Sequence, residues 1–123
     1  MVNDKLAAFL AEAAARKIVL GQWDCGLWLA DWCMVATGKP DPAASYRGLG
    51  TDNPINIRHV ARQQNWPRER SPRRGDIGLV SLQKGHLVGG IYTGTHWCVL
   101  IDEQGIGAII PDKLRFVAAW RIA

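Results

Sequence analysis

Residues 75–101 read GDIGLVSLQKGHLVGGIYTGTHWCVLI, and this stretch decides the fold. Three runs rich in β-branched and apolar residues, Ile77 to Leu82, Val88 to Tyr92 and Trp97 to Ile101, are separated by Lys84-Gly85 and Thr93-Gly94-Thr95. Each run has the length and residue types of a β-strand, and each break carries turn residues. A parallel pair needs a crossover of a dozen or more residues, so connections this short imply antiparallel neighbours. Two further runs, Gly107 to Ile110 and Phe116 to Ile122, extend the sheet.

On the N-terminal side the pattern is that of helices. Leu6, Phe9, Leu10, Ala13 and Ala14 share one face of a helix expected over residues 4–17, with Asn3 or Asp4 as its cap. A second helix is expected from Asp24, acting as N-cap, to Ala36, stopped by Gly38 and Pro40. Residues 41–56 are rich in Gly, Pro, Asp and Asn and read as loop. A third helix is expected from about Ile55 to Asn65, burying Ile57, Val60 and Ala61 and leaving His59 at the surface. Helices first and strands after describe an α+β domain. The organisation is one domain over 1–123: a helical part to about 66, a basic connector over 67–75, and a sheet over about 76–123.

Composition narrows the function classes. The chain has 123 residues, 48% of them hydrophobic, and a net charge of +4, which suits one domain with its own core. No apolar run approaches the roughly 20 residues of a membrane-spanning helix, and the N-terminus lacks the apolar core of a signal peptide. Three cysteines without secretion argue against a disulfide scaffold, and no Cys-x-x-Cys or His-x-x-x-His pair suggests a metal, so no cofactor is expected. The connector Arg68-Glu69-Arg70-Ser71-Pro72-Arg73-Arg74 is strongly basic. It lacks interleaved aromatics and any nucleic-acid-binding motif, so the partners it suits are an anionic wall polymer or an acidic subunit.

Cys25 follows the expected helix cap, where free backbone N–H groups and the helix dipole stabilise a thiolate. Cys33 and Cys98 fall inside elements and read as small core residues. A thiolate nucleophile needs a base. His86 stands before one strand and His96 opens the next, so a meander brings both towards one face of the sheet as base and orienting residue, with Asp102 behind.

These residues resemble the papain-like cysteine peptidases of the NlpC type. The matching pieces are Trp23-Asp24-Cys25, Arg74-Gly75-Asp76-Ile77 and His86-Leu87-Val88-Gly89-Gly90-Ile91-Tyr92-Thr93-Gly94. CHAP amidases are more distantly similar through Gly75-Asp76-Ile77 and Gly85-His86-Leu87. A closer resemblance, to small phage and prophage tail-associated proteins related to that group, covers nearly the whole chain. It rests on Gly21-Gln22-Trp23-Asp24-Cys25, Ala30-Asp31, Thr37-Gly38, Asp41-Pro42-Ala43-Ala44, Arg47-Gly48, Gly75-Asp76 and Ala119-Trp120-Arg121-Ile122.

The resemblance implies a papain-like fold and two alternative functions. In the first, Cys25 is the nucleophile, His86 the base and His96 the orienting residue of a peptidase or amidase acting on peptidoglycan peptides. Trp23, Asp24, Arg47 and Asp76 then line the cleft or support it, and the protein is carried in the virion tail. The second is a tail-tip or tail-assembly subunit of the same fold with catalysis reduced, bound to other tail subunits. One departure separates them: laid on the peptidase pattern His-Val-Gly-Ile-Tyr-x-Gly, the histidine position falls on Val88, two residues after His86. A bulge at Gly89-Gly90 would be needed to compensate.

Overall fold

The computed structural model describes residues 4–16, 23, 26–48, 56–83, 86–102, 105–109 and 116–122, with the backbone alone described at 82, 83, 86, 101, 102, 105–109 and 116. Helix α1 (Lys5–Ala13) starts where Asp4 turns its carboxylate back to accept the Ala7 N–H at 3.1 Å, and it buries Leu6, Phe9 and Ala13. Helix α2 (Leu27–Thr37) ends at Gly38, whose φ of 70° lets its N–H return to the Met34 carbonyl. Helix α3 (Ile57–Gln63) is capped by Asn56, which accepts the His59 N–H at 3.1 Å; Ile57, Val60 and Ala61 face inward and His59 is exposed.

The start of α2 corrects an expectation. The cap is Gly26, not Asp24: its φ is −108°, it makes no side-chain capping bond, and its carbonyl accepts the Leu29 N–H at 3.2 Å. Glycine is a poor helix-interior residue, so the helix begins after it, at the first residue of the buried run Leu27 to Ala30. Helix α2 therefore begins two positions after Cys25 in sequence. Asp24 and Cys25 themselves lie outside the described residues.

Among the described residues five strands follow: β1 (Ile77–Gln83), β2 (His86–Tyr92), β3 (Trp97–Asp102), β4 (Gly105–Ile109) and β5 (Phe116–Trp120). They form one antiparallel sheet in the order β4-β3-β2-β1-β5. The class is therefore α+β. The connector lies along β5: Arg68 bridges Trp120, Glu69 N–H donates to the Ala119 carbonyl at 2.8 Å, and Arg121 N–H donates to Pro67 at 3.0 Å. That pairing covers part of an edge strand that would otherwise expose its ladder groups.

Alternation gives the sheet two buried faces. Ile77, Ile91, Cys98, Leu100, Ala118 and Trp120 pack against Leu6, Phe9, Trp28 and Trp32 of the helices. Val80, Val88, Trp97, Val99 and Ala119 form a separate cluster on the opposite face. Trp97 lies over Gly78 and Gly90, which are cross-strand partners. A Cβ at position 78 would sit 2.7 Å from both Trp97 Cη2 and the Ala118 carbonyl oxygen, so the absence of a side chain there makes room for the indole.

Candidate functional site

The described residues that flank Cys25 in sequence, Trp23 and the first turn of α2, are both anchored. Trp23 is buried against Phe9 at 6.0 Å and meets Trp28 edge-on at 6.3 Å between ring centroids. The Arg16 guanidinium carbon stands 3.8 Å above its ring, a cation–π contact. Trp23 is thus core packing, 1% exposed, and its Nε1 is buried without a hydrogen-bond partner among the described residues. On the other side, the buried Trp28 donates its Nε1–H to the Gly89 carbonyl at 3.3 Å, tying the first turn of α2 to the middle of β2.

From Arg16 a chain of charges runs through the segments whose motifs the sequence singled out. Arg16 Nη1 lies 3.7 Å from Asp31 Oδ2. Asp31 Oδ1 accepts Arg47 Nη2 at 2.7 Å, and Arg47 Nε donates to Asp41 Oδ2 at 3.0 Å. The other Asp41 oxygen accepts the Ala43 N–H at 2.9 Å, closing the turn that leads into a short 3₁₀ helix (Ala44–Tyr46). Burial would lower the Arg47 pKa, but the Asp41 hydrogen bond and the Asp31 charge outweigh it, and the net shift is upward. Burial raises the Asp31 carboxyl, which the attraction of Arg47 and Arg16 only partly offsets. Arg47 is therefore support for the loop and for α2. A groove of about 340 Å³ beside this chain is lined by Phe9, Glu12, Arg16, Trp23, Asp31 and Met34, among others.

Asp76 also braces structure. Its Oδ2 accepts the Arg73 N–H at 2.9 Å, its own N–H returns to the Arg73 carbonyl, and its Oδ1 lies 3.9 Å from Arg121 Nε. Arg121 reaches Glu69 through Nη2 at 3.2 Å. Burial raises the Asp76 carboxyl, against the Arg73 N–H and the Arg121 charge. Trp32 Nε1–H donates to the Gly75 carbonyl at 2.8 Å, so the same turn is held to α2.

The histidine position of the peptidase pattern is occupied by an apolar side chain in an apolar setting. Val88 is 6% exposed and packs with Val80, Trp97, Val99 and Ala119 on the face turned away from the helices. The expected bulge at Gly89-Gly90 is absent: Leu87 to Ile91 pair one for one with Ser81 to Ile77. The irregularity falls in β1 instead, between Ser81 and Gln83. The His86 backbone opens β2 opposite Gln83, and its side chain lies outside the described residues.

The meander does not bring His86 and His96 together. β2 runs six residue steps from His86 to Tyr92, about 20 Å at the usual strand rise. His96 lies beyond the far end, where its carbonyl accepts the Thr93 N–H at 2.9 Å. Its ring Nδ1 is 2.9 Å from Thr95 Oγ1 and 3.3 Å from Thr93 Oγ1, so it belongs to a hydroxyl-lined turn. An orienting role towards His86 is excluded by strand length. The backbone of Asp102 lies on β3, in a bulged pairing with Gly105, and its side chain lies outside the described residues.

The two remaining cysteines are core thiols. Cys33 is buried, and burial pushes its thiol up to about 12; burial also raises Cys98. Among the described residues no group of three His, Cys, Asp or Glu side chains could hold a metal ion, and no helix is long and apolar enough to cross a membrane. Sequence reasoning missed Arg16 and Arg121 as partners. Arg121 was flagged only by its place in the Ala119-Trp120-Arg121-Ile122 motif, and Arg16 carried no local signal.

No curated protein matches the chain. A family model described as a domain of unknown function, DUF6950, matches residues 2–122. That match spans α1 through β5 and every motif described above, and the chain belongs to this family.

Proposed function

We propose that this domain is a catalytically reduced relative of the NlpC-type peptidases, serving as a structural subunit of a phage tail or tail tip. The observation that carries the reading is Val88. The position that would hold the general base is a buried valine in an all-apolar cluster. No bulge at Gly89-Gly90 shifts His86 towards that position, and a base must come within about 3 Å of the proton it takes. His96, at the other end of β2, supplies no substitute. The tail assignment is supported by the motif series from Gly21 to Ile122 and by its resemblance to tail-associated proteins.

The peptidase reading, with Cys25 as nucleophile and His86 as base, has one observation in its favour. The Trp28–Gly89 bond sets the start of α2 against β2, where such an enzyme would need its two reacting groups. Incubation of the purified protein with peptidoglycan sacculi decides between the two. The expected result is no peptide release above that of Cys25→Ala; release abolished by both Cys25→Ala and His86→Ala would overturn the structural reading. Mass spectrometry of purified particles tests the location, with the protein expected in a fixed ratio to the other tail subunits.

A further inference from the structure

The net charge of this protein is carried by one segment. Residues 56–76 hold six arginines against Glu69 and Asp76, a balance of +4, which is the net charge of the whole chain; the rest of the chain is neutral. Among the described residues, the carboxylates nearby leave most of this surface uncompensated. Glu69 and Asp76 face Arg121, Arg74 pairs with Asp4, and Arg68 reaches the Val117 carbonyl over the Trp120 ring. Arg58, Arg62 and Arg70 are exposed and form no ion pair with a described carboxylate, and exposed Arg73 acts on Asp76 only as the weakest of that carboxylate's partners.

We propose that this arginine surface, formed by α3 and the connector, docks an acidic face of a partner protein. The inference rests on the reading of the domain as a structural subunit. All six cations are arginine and none is lysine, and arginine is the cation enriched at protein interfaces, where its planar fork engages carboxylates in pairs. Arg73 also lines a groove of about 320 Å³ in which Arg74, Arg121 and Asp76 stand beside Trp32, Ala36 and Ile122, so the charged surface continues into a concavity with mixed walls. Two other partner classes fit less well. Trp66 is half-buried and Trp120 buried, leaving no tryptophan or tyrosine on this surface free to stack on bases. The outer face of α3 presents Arg58, His59, Arg62 and Gln63, with no apolar residue to insert into a bilayer.

A labelled peptide alternating glutamate with leucine tests the surface, beside the same peptide with glutamine for glutamate, duplex DNA and phosphatidylserine vesicles. The acidic peptide is expected to bind with an affinity that falls with salt, and the glutamine peptide to bind far more weakly. Arg70→Ala and Arg73→Ala should each weaken binding about two- to fivefold, as exposed ion pairs do. Lys39→Ala, an equal charge change outside the segment, should leave it unaltered. Equal binding of both peptides, no effect of the arginine variants, or tighter binding to DNA or vesicles would each overturn the proposal. Cys25-dependent peptidoglycan cleavage would instead overturn the functional reading, so the two failures are distinguishable.

Discussion

Removing the Arg47 guanidinium should expose how much of this fold hangs on the loop that follows α2. In Arg47→Ala, Asp31 and Asp41 lose their shared partner at 2.7 and 3.0 Å, and both carboxylates are only about one-fifth exposed. Breaking a fully buried ion pair costs about 3–5 kcal/mol, and a fully exposed one about 0–1 kcal/mol. At this exposure the intermediate figure of about 2–3 kcal/mol applies, because the stranded carboxylates keep some contact with water. Near the transition temperature that corresponds to a fall of about 8–12 °C for a chain of this size. Burial already raises the Asp31 carboxyl in the folded protein, and losing Arg47 raises it further. A carboxyl with a raised folded pKa binds its proton more tightly in the folded state, so the associated stability is present at low pH and lost as pH rises through that range. The variant should therefore lose less stability near pH 4 than near pH 7. Urea or thermal unfolding of Arg47→Ala, Asp31→Asn and the double variant at both pH values provides the assay. A cost under about 0.5 kcal/mol, or additivity of the two changes, would refute the view that Arg47 binds α2 to the loop.

Gly78→Ala should destabilise by about 1–3 kcal/mol, since the new methyl meets both the Trp97 ring and the Ala118 carbonyl at 2.7 Å; a near-neutral change by urea unfolding would show that the slot is loose. Trp28→Phe keeps most of the packing but leaves the Gly89 carbonyl without its indole donor, for an expected cost of about 1 kcal/mol. The check is a lowered urea midpoint with an unchanged slope. Cys33 should resist alkylation in the folded protein at pH 9, because its thiol is pushed up to about 12. The same shift predicts stability falling above pH 9, towards about 1.4 kcal/mol per pH unit, since the unfolded thiol ionises first. Cys33→Ala should remove that part of the alkaline decline, and a decline identical in both proteins would count against the buried-thiol argument.

Much of the architecture was legible because it is local. Short runs rich in β-branched and aromatic residues with glycine-bearing breaks over residues 77–101 specify strands and short connections, and short connections leave only an antiparallel sheet. The cap at Asp4 and the stop at Gly38 were also readable, since a cap is a bond over three or four residues; the Asn56 cap of α3 was not, and that helix begins at Ile57, two residues after the expected start. The start of α2 was misread because Asp24 is the better capping residue in isolation, whereas Gly26 interrupts the helix and the buried run begins at Leu27. The candidate site was less legible. Arg16, Asp31, Arg47 and Asp41 converge from four places in the chain, and no spacing rule connects them. The two histidines looked like neighbours in a meander, but a strand of seven residues sets them at opposite ends.

The sequence by itself therefore determined the class of fold, the order of its elements and the concentration of charge on residues 56–76, because periodicity, turn chemistry and charge are properties of short windows. Only the tertiary structure decided which face of the sheet the helices cover, and so that Val88 turns away from them into its own apolar cluster. The physical reason is that a strand offers its two sides alternately and equally. Which side becomes the helix-packed core is settled by the helices, the glycines under Trp97 and the register, acting together.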